Sequence, residues 1–500
     1  MNSWRLKSVV ALSGAVLMSL EILGSRVLAP AYGSSVYVWG GLITTFLVAL
    51  AVGYAVGGRL ADARPTTANL SMILAAAAAL VLPAVVWAPE LLRRLGSAGW
   101  DVRWSALVAA LILFLPPSLA MGMVSPFAVR LAIRGADRAG SVAGGYSALS
   151  TAGSIVGTLA TAFVLIPILP VHVLLLALAG TLAVCAVLLV GGRASALASG
   201  GAVLACALAG FTQGPPASIG GEKVLLRKDT PYHHIAVTEM DSTRYLRFDN
   251  LRQGAVNMAD PGRSVLNFEQ AFFLPFAVRP GIRRICMIGL GGGVFPREIS
   301  SVAPDVTIET VEIDPAVRDI AKKFFLYSEG PRVRTTIEDG RVFLARPGPL
   351  YDLVILDAFN ATGVPFHLTT REFFEAVRRR TAPDGAFVAN YIGSLMGRDA
   401  RLFWASYATI RRQYGQVYVS SPEIAAGSRT PRGNIFLLAT MSSDPVPLDR
   451  IREQAAALGK QWRVPRLADF AESLLHSPDP PDGTPELTDA YAPVEALQNF

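Results

Sequence analysis

The stretch Arg284-Ile-Cys-Met-Ile-Gly-Leu-Gly-Gly-Gly-Val-Phe-Pro-Arg-Glu298 decides the fold, because an apolar strand runs into clustered glycines and then into a helix-like segment. Glycines at such a turn let bare backbone approach a nucleotide-sized ligand. The pattern alone serves many ligands. It sharpens through Val306-Thr-Ile-Glu-Thr-Val-Glu-Ile-Asp314, a second strand-like segment whose Glu312 stands 23 residues after Gly289. A carboxylate at that place can take both hydroxyls of a ribose. Two more strand ends follow, Thr335-Thr-Ile-Glu-Asp339-Gly340 and Tyr351-Asp-Leu-Val-Ile-Leu-Asp357. Four acid- or glycine-tipped strands in close succession describe one nucleoside pocket at the carboxyl edge of a parallel sheet. From about residue 280 the alternation of strand and helix patterns is that of a doubly wound, Rossmann-like α/β domain.

Upstream the character of the chain changes. Of 500 residues 52% are hydrophobic and the mean hydropathy is +0.42, but the excess sits in the first 212. That stretch holds 12 Lys/Arg and 5 Asp/Glu, while the rest carries 33 of each sign. The net +7 therefore reports basic loops beside a membrane and gives no reason to expect nucleic acid as a partner.

Apolar runs near 8–30, 36–58, 68–88, 105–127, 141–166, 171–191 and 195–212 predict an all-α transmembrane bundle of about seven spans. Glu21 and Arg26, followed by further spans, argue that the first run is retained rather than a cleaved signal. Either it places a polar path in the bundle, or the two charges lock helix packing. Tyr32, Tyr37 and Trp39 fit an interfacial aromatic belt.

Arg5, Lys7, Arg59, Arg64, Arg130, Arg134, Arg138 and Arg193 fall on one side, against Arg93, Arg94 and Arg103, so the N-terminus is expected inside. Seven spans would then leave the soluble half outside, where an adenosyl ligand is scarce. The short 195–212 run and the Pro116-Pro117 break are the weak points of that count, and the soluble half is expected in the cytoplasm. Gly57-Gly-Arg-Leu-Ala-Asp62-Ala-Arg64 looks like a short loop of major-facilitator transporters.

The boundaries follow from composition. A transmembrane domain covers 1–212 and a Gly/Pro linker 213–221. A small antiparallel β part follows over 222–279, a nucleoside-binding domain over 280–445, and a Pro-rich, mostly irregular extension over 446–500. Cys185, Cys206 and Cys286 sit in apolar runs and imply no disulfide. The five histidines lack ligand spacing, so no metal is expected.

With those residues in view, about 222–440 resembles the spermidine synthase (polyamine aminopropyltransferase) family. The resemblance rests on Pro231-Tyr-His-His-Ile-Ala-Val237, Leu246-Arg-Phe-Asp-Asn-Leu-Arg-Gln253, the glycine loop ending in Arg297-Glu298, Val311-Glu-Ile-Asp-Pro315, Glu338-Asp-Gly340, the Asp357 strand and Leu368-Thr-Thr-Arg-Glu-Phe373. Glu21-Ile-Leu-Gly-Ser-Arg-Val-Leu-Ala-Pro30, Gly33-Ser-Ser-Val-Tyr-Val-Trp39 and Leu487-Thr-Asp-Ala-Tyr-Ala-Pro-Val494 resemble the type fused to a membrane domain.

The resemblance implies that S-adenosylmethionine or its decarboxylated form is the substrate, held by Gly289, Gly291, Gly292, Gly293, Gly340 and Gln253, with Glu312 on the ribose and Asp339 on the adenine. Asp357 would take the proton of an attacking amine. The amine side departs from the family pattern. Gly292 falls on the aspartate that grips the ammonium in the synthases, and Asp357-Ala-Phe-Asn360 replaces Asp-Ser-Ser-Asp-Pro. Tyr232-His233 stands for a Tyr-Gln pair, and Asn267 for a tyrosine of the amine groove.

Plainer roles compete. Glu312 and Asp339 could be helix N-caps, Asp357 could cap the next helix, and Tyr232 and His233 could be packing. The expected activity is release of methylthioadenosine by aminopropyl-type transfer to an amine. A lyase in which S-adenosylmethionine's own carboxylate attacks its chain, giving homoserine lactone, and a non-catalytic sensor regulating the membrane half are the alternatives. The expected partners are the bilayer and a small molecule, with a homodimer open as the assembly.

Overall fold

The computed structural model describes residues 3–32, 35–97, 100–133, 139–190, 218–249, 251–261, 265–358, 365–422 and 433–497. The chain divides into two units, Met1–Ala217 with Lys228–His234, and Ser218–Arg227 with Ile235–Phe500.

In the first unit six helices are long and apolar enough to cross a membrane: Ser3–Tyr32, Val36–Ala63, Thr67–Val86, Arg103–Ala132, Ala139–Leu165 and Val171–Leu189. The expected break at Pro116-Pro117 is corrected, because both prolines lie inside the continuous helix Val102–Gly122. An apolar setting tolerates proline in a helix where neighbouring helices re-satisfy the freed carbonyls. The seventh expected run, 195–212, lies outside the described residues, as does Cys206.

Small residues set how the helices meet. A Cβ on Gly153 would stand 1.9 Å from the Ala11 carbonyl oxygen, and one on Gly157 2.3 Å from that of Ala15. With backbones this close, Ser154 donates to the Gly14 carbonyl at 3.1 Å and Ser19 to that of Gly157 at 3.2 Å. Without a hydrophobic drive between helices in lipid, such close packing and hydrogen bonding is what holds a bundle together.

The second unit begins with a five-stranded sheet, β1 (Ser218–Ile219), β2 (Glu222–Asp229), β3 (His234–Met240), β4 (Thr243–Phe248) and β5 (Leu251–Asn257), bonded in that order. Alternation puts Ile235, Val237 and Leu246 inside, with Val237 opposite Leu246. The β3–β4 hairpin closes through Asp241 and Ser242, both at positive φ, the backbone twist a two-residue hairpin needs.

An eight-stranded sheet follows, with β6 (Arg284–Ile288), β7 (Thr307–Glu312), β8 (Val333–Ile337), β9 (Tyr351–Leu356), β10 (Thr381–Gly393), β11 (Gln416–Ser420), β12 (Gly433–Thr440) and β13 (Leu475–His476). Its order is β13-β11-β12-β10-β9-β6-β7-β8. β8, β7, β6, β9 and β10 run parallel, and β12 is antiparallel to β10 and β11. This is a Rossmann-like methyltransferase fold. The order reverses between β6 and β9, so their carboxyl ends open a crevice there.

The extension departs from expectation. Instead of being mostly irregular, it forms a 15-residue helix, Leu448–Trp462. Leu448, Ile451, Ala455, Leu458 and Trp462 recur at three- and four-residue steps and pack on the core. The flanking prolines obscured that period.

Candidate active site

Strand β6 carries a buried Ile-Cys-Met-Ile run to the sheet edge, and Gly289 turns it. Its φ is +95°, and a Cβ there would lie 2.2 Å from the Asp357 carbonyl oxygen. Only glycine suits both constraints. Gly289 N–H donates to Val311 at 2.8 Å and Asp357 N–H to Ile288 at 2.9 Å, so the loop is tied to the strands on either side. Gly293, at φ +68°, heads the helix Val294–Val302.

Glu312, the last residue of β7, is only 5% exposed. One carboxylate oxygen accepts from Leu290 N–H in the glycine loop at 3.0 Å, the other from Asp314 N–H at 2.9 Å. Burial pushes its carboxyl up to about 7, against the opposing pull of these backbone donors. Glu312 is therefore a rigid acceptor fixed beside the loop, and each oxygen keeps lone-pair capacity for a hydroxyl. These features fit a ribose diol.

The small sheet closes the other side of the loop. A Cβ on Gly254 would stand 3.1 Å from the Gly292 nitrogen, and one on Gly291 3.5 Å from the Gln253 carbonyl oxygen. Gln253 is thus brought to the loop. A side chain at Gly292 would start 3.4 Å from the Phe325 ring and 3.5 Å from a Val294 methyl, an apolar setting.

Asp339, two residues past β8, caps the short helix Gly340–Ala345 by accepting from Arg341 N–H at 2.9 Å and Val342 N–H at 3.1 Å. Its other oxygen pairs with His367 Nε2 at 3.0 Å. The capping role is thus present. Contact with a base would have to use the oxygen that His367 shares.

Asp357 follows β9 directly. Asn390 Nδ2 donates to its carboxylate at 3.1 Å, and burial raises its carboxyl to about 6 despite that bond. Asn390, 4% exposed on β10, escaped the sequence reading. Among the described residues its Oδ1 has no partner. The signal was an amide in the apolar run Phe387-Val-Ala-Asn-Tyr391, one step beyond the Ala389↔Leu356 pair. His367 was missed as well, one residue before the motif Leu368-Thr-Thr-Arg-Glu-Phe373.

The amine-side candidates fall in different units. Tyr232 and His233 form a tight turn on the Thr230 hydroxyl, which accepts both of their N–H groups. That turn belongs to Lys228–His234 in the first unit, where Arg26 donates to the Pro231 carbonyl at 2.5 Å. Asn267 is exposed at the start of a 3₁₀ turn. Asn360 lies outside the described residues. Among the described residues no group of three His, Cys, Asp or Glu is placed to hold a metal ion.

The glycine turn, Glu312 and Asp357 stand at one sheet edge of the Rossmann-like domain. Residues 270–396 match the spermine/spermidine synthase domain. A polyamine aminopropyltransferase of Vibrio vulnificus (strain CMCP6) is 28% identical over 295 residues, 57% of this chain and 94% of that protein. One from Chromobacterium violaceum is 32% identical over 140 residues, 28% of this chain and 54% of that protein. Among solved structures, a probable spermidine synthase from Corynebacterium glutamicum superposes with a TM-score of 0.42 at 20% identity, covering 54% of this chain and 97% of that one. The chain carries a spermine/spermidine synthase domain behind a set of long apolar helices.

Proposed function

We propose that the protein is a membrane-embedded enzyme of spermidine-synthase type that binds decarboxylated S-adenosylmethionine or S-adenosylmethionine and releases methylthioadenosine by aminopropyl-type transfer to an amine. One observation carries this reading. Asp357 stands at the crevice with a carboxyl raised to about 6 and, among the described residues, a single side-chain donor, so it can gain and lose a proton near neutral pH.

Glu312 and the glycine loop would hold the adenosyl part. The amine nitrogen attacks the carbon next to sulfur, the C–S bond breaks, and its electron pair goes to sulfur, which leaves as a neutral thioether. The nitrogen's proton passes to Asp357. Alignment of nucleophile, carbon and base supplies much of the rate.

The apolar setting of Gly292 and the amide at Asn360 favour a second reading. A site short of acids does not repel the carboxylate of intact S-adenosylmethionine. That carboxylate could attack its own chain, closing a lactone as the C–S bond breaks, with no proton to remove.

Incubating the full-length protein with each form of the substrate, alone and with a panel of amines, and following methylthioadenosine by mass spectrometry separates the two. Product only with the decarboxylated form and an amine supports transfer; product from S-adenosylmethionine alone supports the lyase. No product from any combination overturns both.

For location, six spans would return the chain to the side of its basic N-terminus, which supports a cytoplasmic soluble half. A crossing by 195–212 would reverse it. Reporter fusions after residue 221 decide the matter.

A further inference from the structure

The synthase-domain match ends at residue 396, yet a segment almost a hundred residues later reaches back into it. Leu487 is fully buried, in a cluster with Leu402, Ala405 and Val494. Its N–H donates to the Thr409 hydroxyl at 2.9 Å and its carbonyl accepts from Arg371 N–H at 2.8 Å. Two residues on, Asp489 N–H donates to Glu372 at 2.9 Å. The Asp489 carboxylate takes both terminal nitrogens of Arg341, one of them at 2.7 Å, and the Thr370 hydroxyl at 2.8 Å. Bidentate pairing of this kind fixes orientation as well as distance.

Arg341 carries the constraint inward. Its Nη1 also donates to the His367 carbonyl at 3.1 Å, and its backbone N–H is one of the two that Asp339 caps. His367 in turn holds the remaining oxygen of Asp339. One carboxylate on the C-terminal strap thus orients a guanidinium that sets both members of the Asp339–His367 pair. An exposed ion pair with no such geometry would be worth little; here several directed bonds converge.

We propose that the strap Leu487–Val494 is part of the nucleoside site, with Asp489 a positioning residue that sets the Asp339–His367 pair, and that this pair reads the amino edge of a 6-aminopurine. The proposal rests on the adenosyl-binding reading above. A carboxylate fixed at the edge of a base accepts from an exocyclic amine and is left facing an acceptor when the base carries a 6-oxo group. Discrimination between the two then depends on how firmly the carboxylate is aimed.

The test uses full-length protein in detergent and measures by calorimetry the binding of methylthioadenosine and its 6-oxo analogue, methylthioinosine. Wild type should prefer the 6-amino compound. Asp489→Asn should weaken methylthioadenosine by about three- to tenfold, as expected for loss of directed hydrogen bonds, with a smaller change for the 6-oxo compound, so the ratio narrows. Asp489→Glu should restore part of it. His367→Asn leaves the Arg341–Asp489 contact intact and should narrow the ratio too, which keeps the proposal open to refutation if Asp489→Asn does not fold. A lowered melting temperature with an unchanged ratio in either variant overturns the positioning role, because a purely structural strap would behave that way. Failure of wild type to bind methylthioadenosine at all would instead remove the adenosyl reading itself.

Discussion

The two sides of the crevice treat their carboxylates differently. On β7 and β8, Glu312 and Asp339 each accept two backbone N–H groups. Directly after β9, Asp357 has one side-chain donor among the described residues, Asn390. Backbone donors are fixed by the fold, so they aim an oxygen without regard to its charge. A lone amide holds one oxygen and leaves the other to take a proton. On the function proposed above, the contrast separates a side that holds from a side that reacts.

The strongest way to break that contrast is Asp357→Asn. The geometry should survive and adenosyl affinity should stay, while turnover falls by about 10²–10⁴, the range for loss of a general base. Steady-state rates set against calorimetric affinity check it. Turnover equal to wild type would leave Asp357 structural and put the lyase ahead, since lactone closure removes no proton. Glu312→Ala should do the converse and weaken adenosyl binding by roughly ten- to a hundredfold, from the ~1.5–3 kcal/mol of a charged hydrogen bond. Unchanged affinity would remove Glu312 from the site.

Titration of Glu312 sharpens the comparison at smaller scale. Its carboxyl, ordinarily near 4.5, is raised to about 7 by burial. The folded state therefore holds the proton more tightly than the unfolded chain. The contribution of Glu312 to stability is full below about 4.5 and is lost as pH rises to about 7. A ribose diol donates hydrogen bonds and so favours the ionised form, which gives binding the opposite trend. Affinity should rise about tenfold from pH 6 to pH 8 and then level, with proton release near pH 7 visible as a dependence on buffer ionisation heat. Affinity that is flat with pH, with no proton release, would show that the ligand does not meet this carboxylate.

The sequence exposed the holding side more fully than the reacting side. Glu312, Asp339 and the glycine turn follow apolar strands, and a parallel sheet must deliver its strand ends to one edge. Asn390 showed only as an amide in an apolar run, and nothing local says that it will face the end of the preceding strand β9; His367 meets Asp339 28 residues earlier. The Arg341–Asp489 latch joins residues 148 apart, a distance that no local pattern spans. Composition was enough to find the six long apolar helices among the seven expected runs, but only packing showed that Pro116 and Pro117 stay within a helix.

The mildest test is Asn390→Ala. An ionised carboxylate only accepts, so the amide must present its nitrogen to Asp357, which leaves Oδ1 buried without a partner among the described residues. Removing the side chain thus strands no donor, and the orphaned acceptor disappears with it. The bond from Asn390 lowers the carboxyl of Asp357 against the larger effect of burial. Without it, burial acts alone and the carboxyl rises further. A base must be ionised to work, so the acid limb of the kcat/KM profile should move from about pH 6 to higher pH. Activity well above that limb should fall by only about three- to tenfold, the worth of one hydrogen bond. A limb that stays in place while activity drops would make Asn390 a packing residue, and a limb that moves to lower pH would mean that the amide does not donate to Asp357.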